Sequence, residues 1–293
     1  MSYSPLANRS ATLGTLERFG LSAKYSLGQN FLVEDNVIGR ILQLSGLLDD
    51  EACDNSILEI GPGIGTLTVA LLDHGTVVSV ERDSDLLPVL AETTAFHSDR
   101  YRVINEDALK VGRSQLEEAY AALGAPLPGM LVANLPYAVA ATVILDWFQR
   151  FEFLQSMTVM VQSEVADRIA AEKGCKDYGA YTVKLRMYAR TAGRFQVSPR
   201  CFHPAPRVES AVIRLERSQL CEDAAVVEAA CTLADAAFAQ RRKNIRNSMR
   251  TRLDAGLVDQ LLESCGIVPT LRGEALDVED YLRMARVMLE LQA

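Results

Sequence analysis

Two short stretches of this chain combine residue types and spacing that could carry chemistry: Asn134-Leu135-Pro136-Tyr137 and, earlier by the length of three βα units, the loop Glu59-Ile60-Gly61-Pro62-Gly63-Ile64-Gly65. A flat conjugated amine, such as the exocyclic nitrogen of adenine, is a poor nucleophile because its lone pair is delocalised into the ring. A side-chain amide and a rigid backbone carbonyl can accept its two N–H bonds, draw the lone pair out of plane and aim it, while a neighbouring aromatic holds the base by stacking. Asn134 offers the amide oxygen, Pro136 stiffens the turn, and Tyr137 supplies the ring. Alone, the four residues could be an ordinary proline turn after a strand; their place after a cofactor-type loop favours methyl transfer.

The elements that must hold these residues alternate as in an α/β domain. Apolar, β-branched runs at Ser56–Ile60, Val77–Glu81, Tyr101–Asn105, Met130–Ala133 and Met157–Val161 read as strands. Helical periodicity fills the gaps at Leu67–Leu72, Leu86–Ala95, Ser114–Leu123, Ala140–Phe148 and Glu164–Ala171. Strands alternating with helices imply a mostly parallel, doubly wound sheet. Phe195–Ser198 and Ser210–Leu215 then read as an antiparallel hairpin closing it, separated by a turn rich in proline (Pro199, Pro204, Pro206). Beyond a polar linker from Glu216 to Asp223 only helices are expected: Ala224–Ala239, a basic helix from Arg242, Leu257–Cys265 and Val278–Leu291.

The glycine loop needs a ligand. Glycines directly after a strand let the backbone turn sharply and approach a nucleoside closely. A dinucleotide loop reads G-x-G-x-x-G; here the third glycine comes one position early and Thr66 stands in its place. With Glu59 in the first strand, Glu81 ending the second and Asp107 just after the third, the set fits an S-adenosylmethionine pocket better. In it Gly61 and Gly63 approach the cofactor, Glu81 binds both ribose hydroxyls, and Asp107 accepts from the adenine amine.

The 293 residues carry a net charge of −8, which at first argues against a nucleic-acid partner. The distribution reverses that inference. Gln240–Arg252 holds Arg241, Arg242, Lys243, Arg246, Arg250 and Arg252 with no acid, and Lys184–Arg214 holds seven basic residues against Glu209 alone. Arg241, Arg242, Lys243, Arg246 and Arg250 are the expected RNA contacts, with Arg242, Arg246 and Arg250 in one helical stripe. No apolar run approaches the roughly 20 residues that span a bilayer, and the N-terminus lacks a signal-like apolar core, so a cytoplasmic protein without a membrane partner is expected. The six cysteines show no C-x-x-C pair and no histidine at ligand spacing, which indicates reduced thiols and no metal site.

Further motifs extend these almost from end to end. They are K-Y-S-L-G-Q-N-F-L at Lys24–Leu32, V-E-R-D at Val80–Asp83, N-E-D-A-L at Asn105–Leu109, V-Q-S-E-V-A-D-R-I-A-A at Val161–Ala171, Y-G-A-Y-T-V at Tyr178–Val183, F-H-P-A-P-R-V-E-S-A-V at Phe202–Val212, and F-A-Q-R-R-K-N-I-R-N-S-M at Phe238–Met249. Together they resemble the ribosomal RNA adenine dimethyltransferases. The last motif favours the branch that dimethylates two adjacent adenosines near the 3′ end of small-subunit (16S) ribosomal RNA over the antibiotic-resistance enzymes acting on large-subunit RNA. The resemblance implies a Rossmann-like class I methyltransferase sheet with a small all-helical C-terminal domain. It implies that Asn30 and Leu32 line the methionine end of the cofactor beside Gly61, Glu81, Asp107 and Asn134, and that Tyr137 and Phe202 sandwich the target base. Departures from the family pattern are Glu172-Lys173-Gly174 in place of Pro-Gly, Thr182 in place of a serine, and the acidic overall charge.

The resulting expectation is an N-terminal arm over 1–35 with a cofactor-contacting motif, a methyltransferase domain over 36–218 and a helical RNA-binding domain over 224–293, acting as a monomer on the small ribosomal subunit. Two readings compete with it. One is an adenine N6-methyltransferase for large-subunit RNA or DNA, and the other is a non-catalytic ribosome assembly factor.

Overall fold

In the computed structural model of the protein, which describes residues 2–24, 28–49 and 53–292, the chain divides into two compact units. The first comprises Met1–Ala166 and Thr191–Glu216, the second Asp167–Arg190 and Arg217–Ala293. The segment 167–190 thus groups with the C-terminal helices, whereas the sequence division placed it in the methyltransferase domain.

The first unit opens with α1 (Arg9–Arg18), capped by the Asn8 side chain. There follow β1 (Phe31–Leu32), α2 (Asp35–Ser45), β2 (Asn55–Ile60), α3 (Thr66–Leu72), β3 (Gly75–Glu81), α4 (Leu87–Thr93), β4 (Tyr101–Asn105), α5 (Arg113–Ala121), β5 (Met130–Asn134), α6 (Ala140–Arg150) and β6 (Ser156–Gln162). After α7 (Ser163–Ala170) and α8 (Ala180–Arg186) come β7 (Ala189–Val197), β8 (Phe202–His203) and β9 (Ser210–Arg217). Seven strands form one sheet in the order β4-β3-β2-β5-β6-β9-β7. The pairs β2–β3, β3–β4, β2–β5 and β5–β6 are parallel, and β9 runs antiparallel to β6. The expected strands are all present, and the antiparallel closing strand is where the Ser210 run predicts it.

Successive side chains on a strand point to opposite faces. Val77 accordingly joins a core with Val37, Ile38, Ile41 and Leu42 of α2 and Leu67 and Leu71 of α3, whereas Val78 packs with Ala119 and Tyr120 of α5. The Tyr120 hydroxyl reaches the Ile57 carbonyl at 2.7 Å and the Trp147 indole reaches the Ala108 carbonyl at 3.1 Å, so both buried donors are satisfied. Helices α1 and α2 were not separately expected, and the proline-rich turn contains β8, which pairs with β1 in a separate two-stranded ribbon.

In the second unit α9 (Ala224–Ala237), α10 (Ile245–Met249), α11 (Ala255–Ser264) and α12 (Val278–Gln292) match the expected helices within a few residues, except at the basic segment. Small side chains on α9, among them Ala230, Ala234 and Ala237, share a core with Tyr281, Met284 and Ala285 of α12 and with Tyr178 and Val183. No helix among the described residues is long and apolar enough to cross a membrane.

Order along the sheet decides where a site can form. The chain runs from β2 outward to β3 and β4, then returns to β5 on the other side of β2. Loops leaving the carboxyl ends of β2 and β5 therefore diverge, and a crevice opens between them.

Candidate active site

The β2 loop closes one wall of that crevice. Gly61 has φ 70° and Gly63 φ 62°, conformations that L side chains rarely adopt. Space is also short: a Cβ on Gly61 would lie 3.4 Å from Pro136 Cδ, and one on Gly63 would lie 3.3 Å from the Phe31 ring. The backbone angle favours glycine at both positions, and at Gly63 the close approach of Phe31 adds to it.

Three acids stand at strand ends around the loop. Glu59 is buried at 1% exposure, and its Oε2 accepts from Thr68 Oγ1 and Ser79 Oγ, each at 2.7 Å. Burial pushes its carboxyl up to about 7, the two hydroxyl donors opposing and the Glu81 charge assisting. Glu81 is also buried; its Oε1 accepts from the Asp83 backbone N–H at 2.7 Å. Burial raises its carboxyl, and backbone donors on Asp83, Gly63 and Arg82 pull it back. Asp107 follows β4; its Oδ1 accepts from the Leu109 N–H at 3.0 Å, and its Oδ2 lies 3.3 Å from Arg82 Nη1.

Asn134 is the last residue of β5, held in register beside Met160 of β6. Its Nδ2 donates to the Asn30 carbonyl at 3.3 Å, and among the described residues no donor reaches its Oδ1. That one bond fixes which end of the amide faces the protein and leaves an acceptor free. The Pro136 carbonyl is committed to the turn, accepting from the Val139 N–H at 3.1 Å, while no backbone donor among the described residues reaches the Leu135 carbonyl. Tyr137 is half-buried and its hydroxyl is 2.5 Å from Ser210 Oγ at the start of β9. Burial raises its phenol, partly opposed by that hydrogen bond.

Asn30, Leu32, Glu59, Gly61, Gly63, Glu81, Asp107, Asn134, Leu135, Pro136 and Tyr137 all line one cleft. Phe202 does not. It is 4% exposed, registers opposite Leu32 and packs with Val37, Ile38 and Val197, because the Phe202–His203 pair is drawn into β8. Gln29, Phe31, Thr66 and Leu86 are among the lining residues that sequence reasoning did not single out. In the sequence Thr66 stands out only as a departure from a glycine pattern, yet its buried Oγ1 has no protein partner among the described residues. Tyr25, Ser26 and Leu27 of the N-terminal motif lie outside the described residues.

The basic segment of the second unit differs from its expected form. No helix starts at Arg242; Asn244 caps α10, which begins at Ile245 and spans 5 residues. An asparagine side chain that accepts from the third N–H of a following turn is a strong start signal, and it overrides the charge pattern. Arg242 and Lys243 precede the helix and are exposed. Arg246 grips Asp259 through Nε and Nη2, both at 2.7 Å, and Arg250 binds the same carboxylate. The Arg246 hydrogen bonds, with Arg250 assisting, hold the Asp259 carboxyl down to about 2. Arg241 donates to the carbonyls of Lys176 and Tyr178. The continuous stripe of Arg242, Arg246 and Arg250 is therefore not formed.

Residues 20–290 match the family described as ribosomal RNA adenine dimethylase. Ribosomal RNA small subunit methyltransferase A of Mycobacterium tuberculosis is 41% identical over 271 residues, 89% of this chain and 81% of that one. The protein of the same name from Lachnoclostridium phytofermentans is 36% identical over 294 residues, 97% of this chain and 98% of its own. Among solved structures, a dimethyladenosine transferase from Plasmodium falciparum superposes with a TM-score of 0.73 at 19% identity, covering 89% of this chain and 98% of that one, a likeness of fold. The 23S rRNA methyltransferase ErmE superposes with a TM-score of 0.62 at 25% identity, covering 88% of this chain and 99% of that one. With a mostly parallel sheet of class I methyltransferase type and its cleft at the switch point, the chain belongs to the ribosomal RNA adenine dimethylase family and is an S-adenosylmethionine-dependent methyltransferase.

Proposed function

We propose that this enzyme methylates the N6 amino groups of two adjacent adenosines near the 3′ end of small-subunit (16S) ribosomal RNA, twice each, acting in the cytoplasm as a monomer during ribosome biogenesis. The observation that carries the chemistry is the Asn134 amide, whose nitrogen donates to the Asn30 carbonyl and whose oxygen meets no donor among the described residues. Similarity to the small-subunit enzymes over nearly the whole chain supports the choice of substrate.

The cleft suits its cofactor. Glu81 offers a buried carboxylate for two ribose hydroxyls, the Gly61–Gly63 backbone permits close approach, and the unpartnered Thr66 hydroxyl can take a further polar group. Asp107 retains acceptor capacity for the adenine amine, and Asn30 and Leu32 border the methionine end. S-adenosylmethionine, when bound, supplies an electrophilic methyl group on a sulfonium. The protein's part is alignment. Asn134 Oδ1 and the Leu135 carbonyl accept the N–H bonds of the target amine, and Tyr137, its hydroxyl held by Ser210, presents its ring to the base. Glu59 keeps the end of β2 in place through Thr68 and Ser79. A neutral amide also suits a second transfer, because a fixed anion would favour the amine that still carries both hydrogens.

Phe202 would complete a sandwich around the base only by leaving the core it occupies, so Tyr137 is the first stacking partner in this account. Arg242 and Lys243 are the foremost RNA contacts of the helical unit, with Arg246 and Arg250 reaching phosphate by exchanging Asp259 for it; Arg241 holds the 176–178 backbone. Purified protein with labelled cofactor should methylate undermodified small subunits and leave large-subunit RNA and DNA unlabelled. Transfer to either of the latter, or to none, would overturn the assignment.

A further inference from the structure

Asp83 ends the V-E-R-D motif without lining the cleft, yet it is 7% exposed and its carboxylate is surrounded by donors. Lys24 Nζ reaches Oδ1 at 2.6 Å, and Gln29 Nε2 reaches Oδ2 at 2.9 Å. Its own chain contributes the Asp85 N–H at 3.2 Å. Gln29 is bound at its other end too, Oε1 accepting from the Lys24 N–H at 2.9 Å. The Lys24 ammonium also pairs with Asp85 at 2.6 Å. Desolvation opposes the charge on Asp83, but Lys24, Gln29 and the Asp85 N–H together hold its carboxyl below the usual range. One buried carboxylate thus binds two side chains lying more than fifty positions earlier in the sequence.

The three residues after Gln29 give this arrangement its consequence. Asn30 supplies the carbonyl that occupies Asn134 Nδ2, Phe31 lies against Gly63, and Leu32 pairs with Phe202. Asp83 also donates its own backbone N–H to Glu81 Oε1. Asp83, two residues past β3, therefore touches the proposed ribose ligand Glu81 through its main chain and, through its side chain, the segment that orients the proposed amine acceptor.

We propose that Asp83 is a positioning residue for methyl transfer: its carboxylate latches Lys24 and Gln29 so that the Asn30 carbonyl holds the Asn134 amide with its oxygen toward the substrate. This rests on the methyl-transfer role given to Asn134. Losing a hydrogen bond to a buried charged group weakens a site by roughly tenfold to a hundredfold. Placing a second carboxylate against Asp83 acts in the same direction.

The test uses the full chain and three variants: Gln29→Glu, Asp83→Asn, and the two combined. Gln29→Glu sets two carboxylates together and should lower kcat at least about tenfold. It should also weaken binding of S-adenosylhomocysteine, read by calorimetry without turnover, because Gln29 borders the cleft. The combined variant exchanges donor and acceptor, the amide introduced by Asp83→Asn donating to the carboxylate introduced by Gln29→Glu, and should recover most of both losses. Heat denaturation of each variant reports folding separately. Wild-type kcat and binding in a folded Gln29→Glu variant would overturn the latch. So would losses in the combined variant equal to the sum of the single ones, since independent sites add and coupled ones do not. If the wild-type chain binds S-adenosylhomocysteine and the combined variant shows the rescue in binding, yet the wild-type chain transfers no methyl group, the latch stands and the methyl-transfer reading fails.

Discussion

The cleft of the first unit and the basic segment of the second contrast in where each residue finds its partner. Glu59, Gly61, Asn134 and Pro136 sit at strand ends, and a parallel sheet delivers strand ends to one edge whatever the side chains do. The arginines of the second unit have long, flexible side chains whose partners the local sequence does not indicate. Arg246 and Arg250 turn to Asp259, and Arg241 reaches back to Lys176 and Tyr178. Residue type and spacing therefore report chemistry borne by the backbone framework. They report charge, but not whether that charge is free.

The contrast can be broken most sharply at Asn134. Asn134→Ala should reduce turnover by on the order of 10²-fold or more, as loss of one aligned transition-state contact does, with cofactor affinity nearly unchanged; normal turnover would remove Asn134 from the mechanism. Glu81→Ala should instead weaken S-adenosylmethionine binding by roughly 1.5–3 kcal/mol, the worth of charged hydrogen bonds, and calorimetry showing unchanged affinity would misplace the ribose. Tyr137→Ala should cost about 1–3 kcal/mol in RNA-dependent rate through lost stacking. Tyr137→Leu should restore only part, and wild-type kinetics in both would return the ring to a packing role.

The second region gives smaller effects, and they separate its arginines. Reversing Arg242 and Lys243 to Glu should lower the salt slope of small-subunit binding by roughly 0.7–0.9 per contact. Asp259→Asn should strengthen binding and steepen that slope, because it frees Arg246 and Arg250. Exposed ion pairs contribute little to folding, so the stability of the variant should barely change. An unaltered slope in the Arg242 and Lys243 variant would mean that these two side chains are only solvated, and the RNA surface would have to be sought around Arg194, Arg200 and Arg207.

The smallest expected effect concerns pH. Burial raises the Glu59 carboxyl in the folded protein to about 7 from an ordinary 4.5. The folded state therefore holds the proton more tightly, and the group's contribution to stability is full below about 4.5 and lost as pH rises through 7. Glu59→Gln should remove that dependence, raising the melting temperature relative to wild type above pH 7 and giving no advantage near pH 4.5; the same difference at both ends would reject a proton on Glu59.

Much of the first unit was legible because its strands are β-branched runs with glycine or proline at their ends. β4, Tyr101–Asn105, falls where the run predicts it, and β3 differs only by two residues at its start. Gln29, Phe31, Thr66 and Leu86 carry no such signal, whereas the strand-end positions of Glu59, Gly61, Glu81 and Asn134 on the cleft were legible for the same reason. Phe202 was not, because the pairing of β8 with β1 joins segments about 170 residues apart, and two-residue strands leave no periodic trace. Nor was the grouping of Tyr178 and Val183 with Tyr281, since an amphipathic helix does not declare which core it joins. At Asn244 the helix start is present in the sequence, but it lies inside a run of positive charge whose spacing mimics an earlier helical stripe.

Mass analysis of small-subunit RNA, after incubating undermodified subunits with the purified protein and S-adenosylmethionine, tests the central claim most directly. The account predicts two methyl groups on N6 of each of two adjacent adenosines, lost when Asn134→Ala replaces the wild-type protein. Unmodified RNA, single methylation that never proceeds further, or undiminished dimethylation by Asn134→Ala would contradict it.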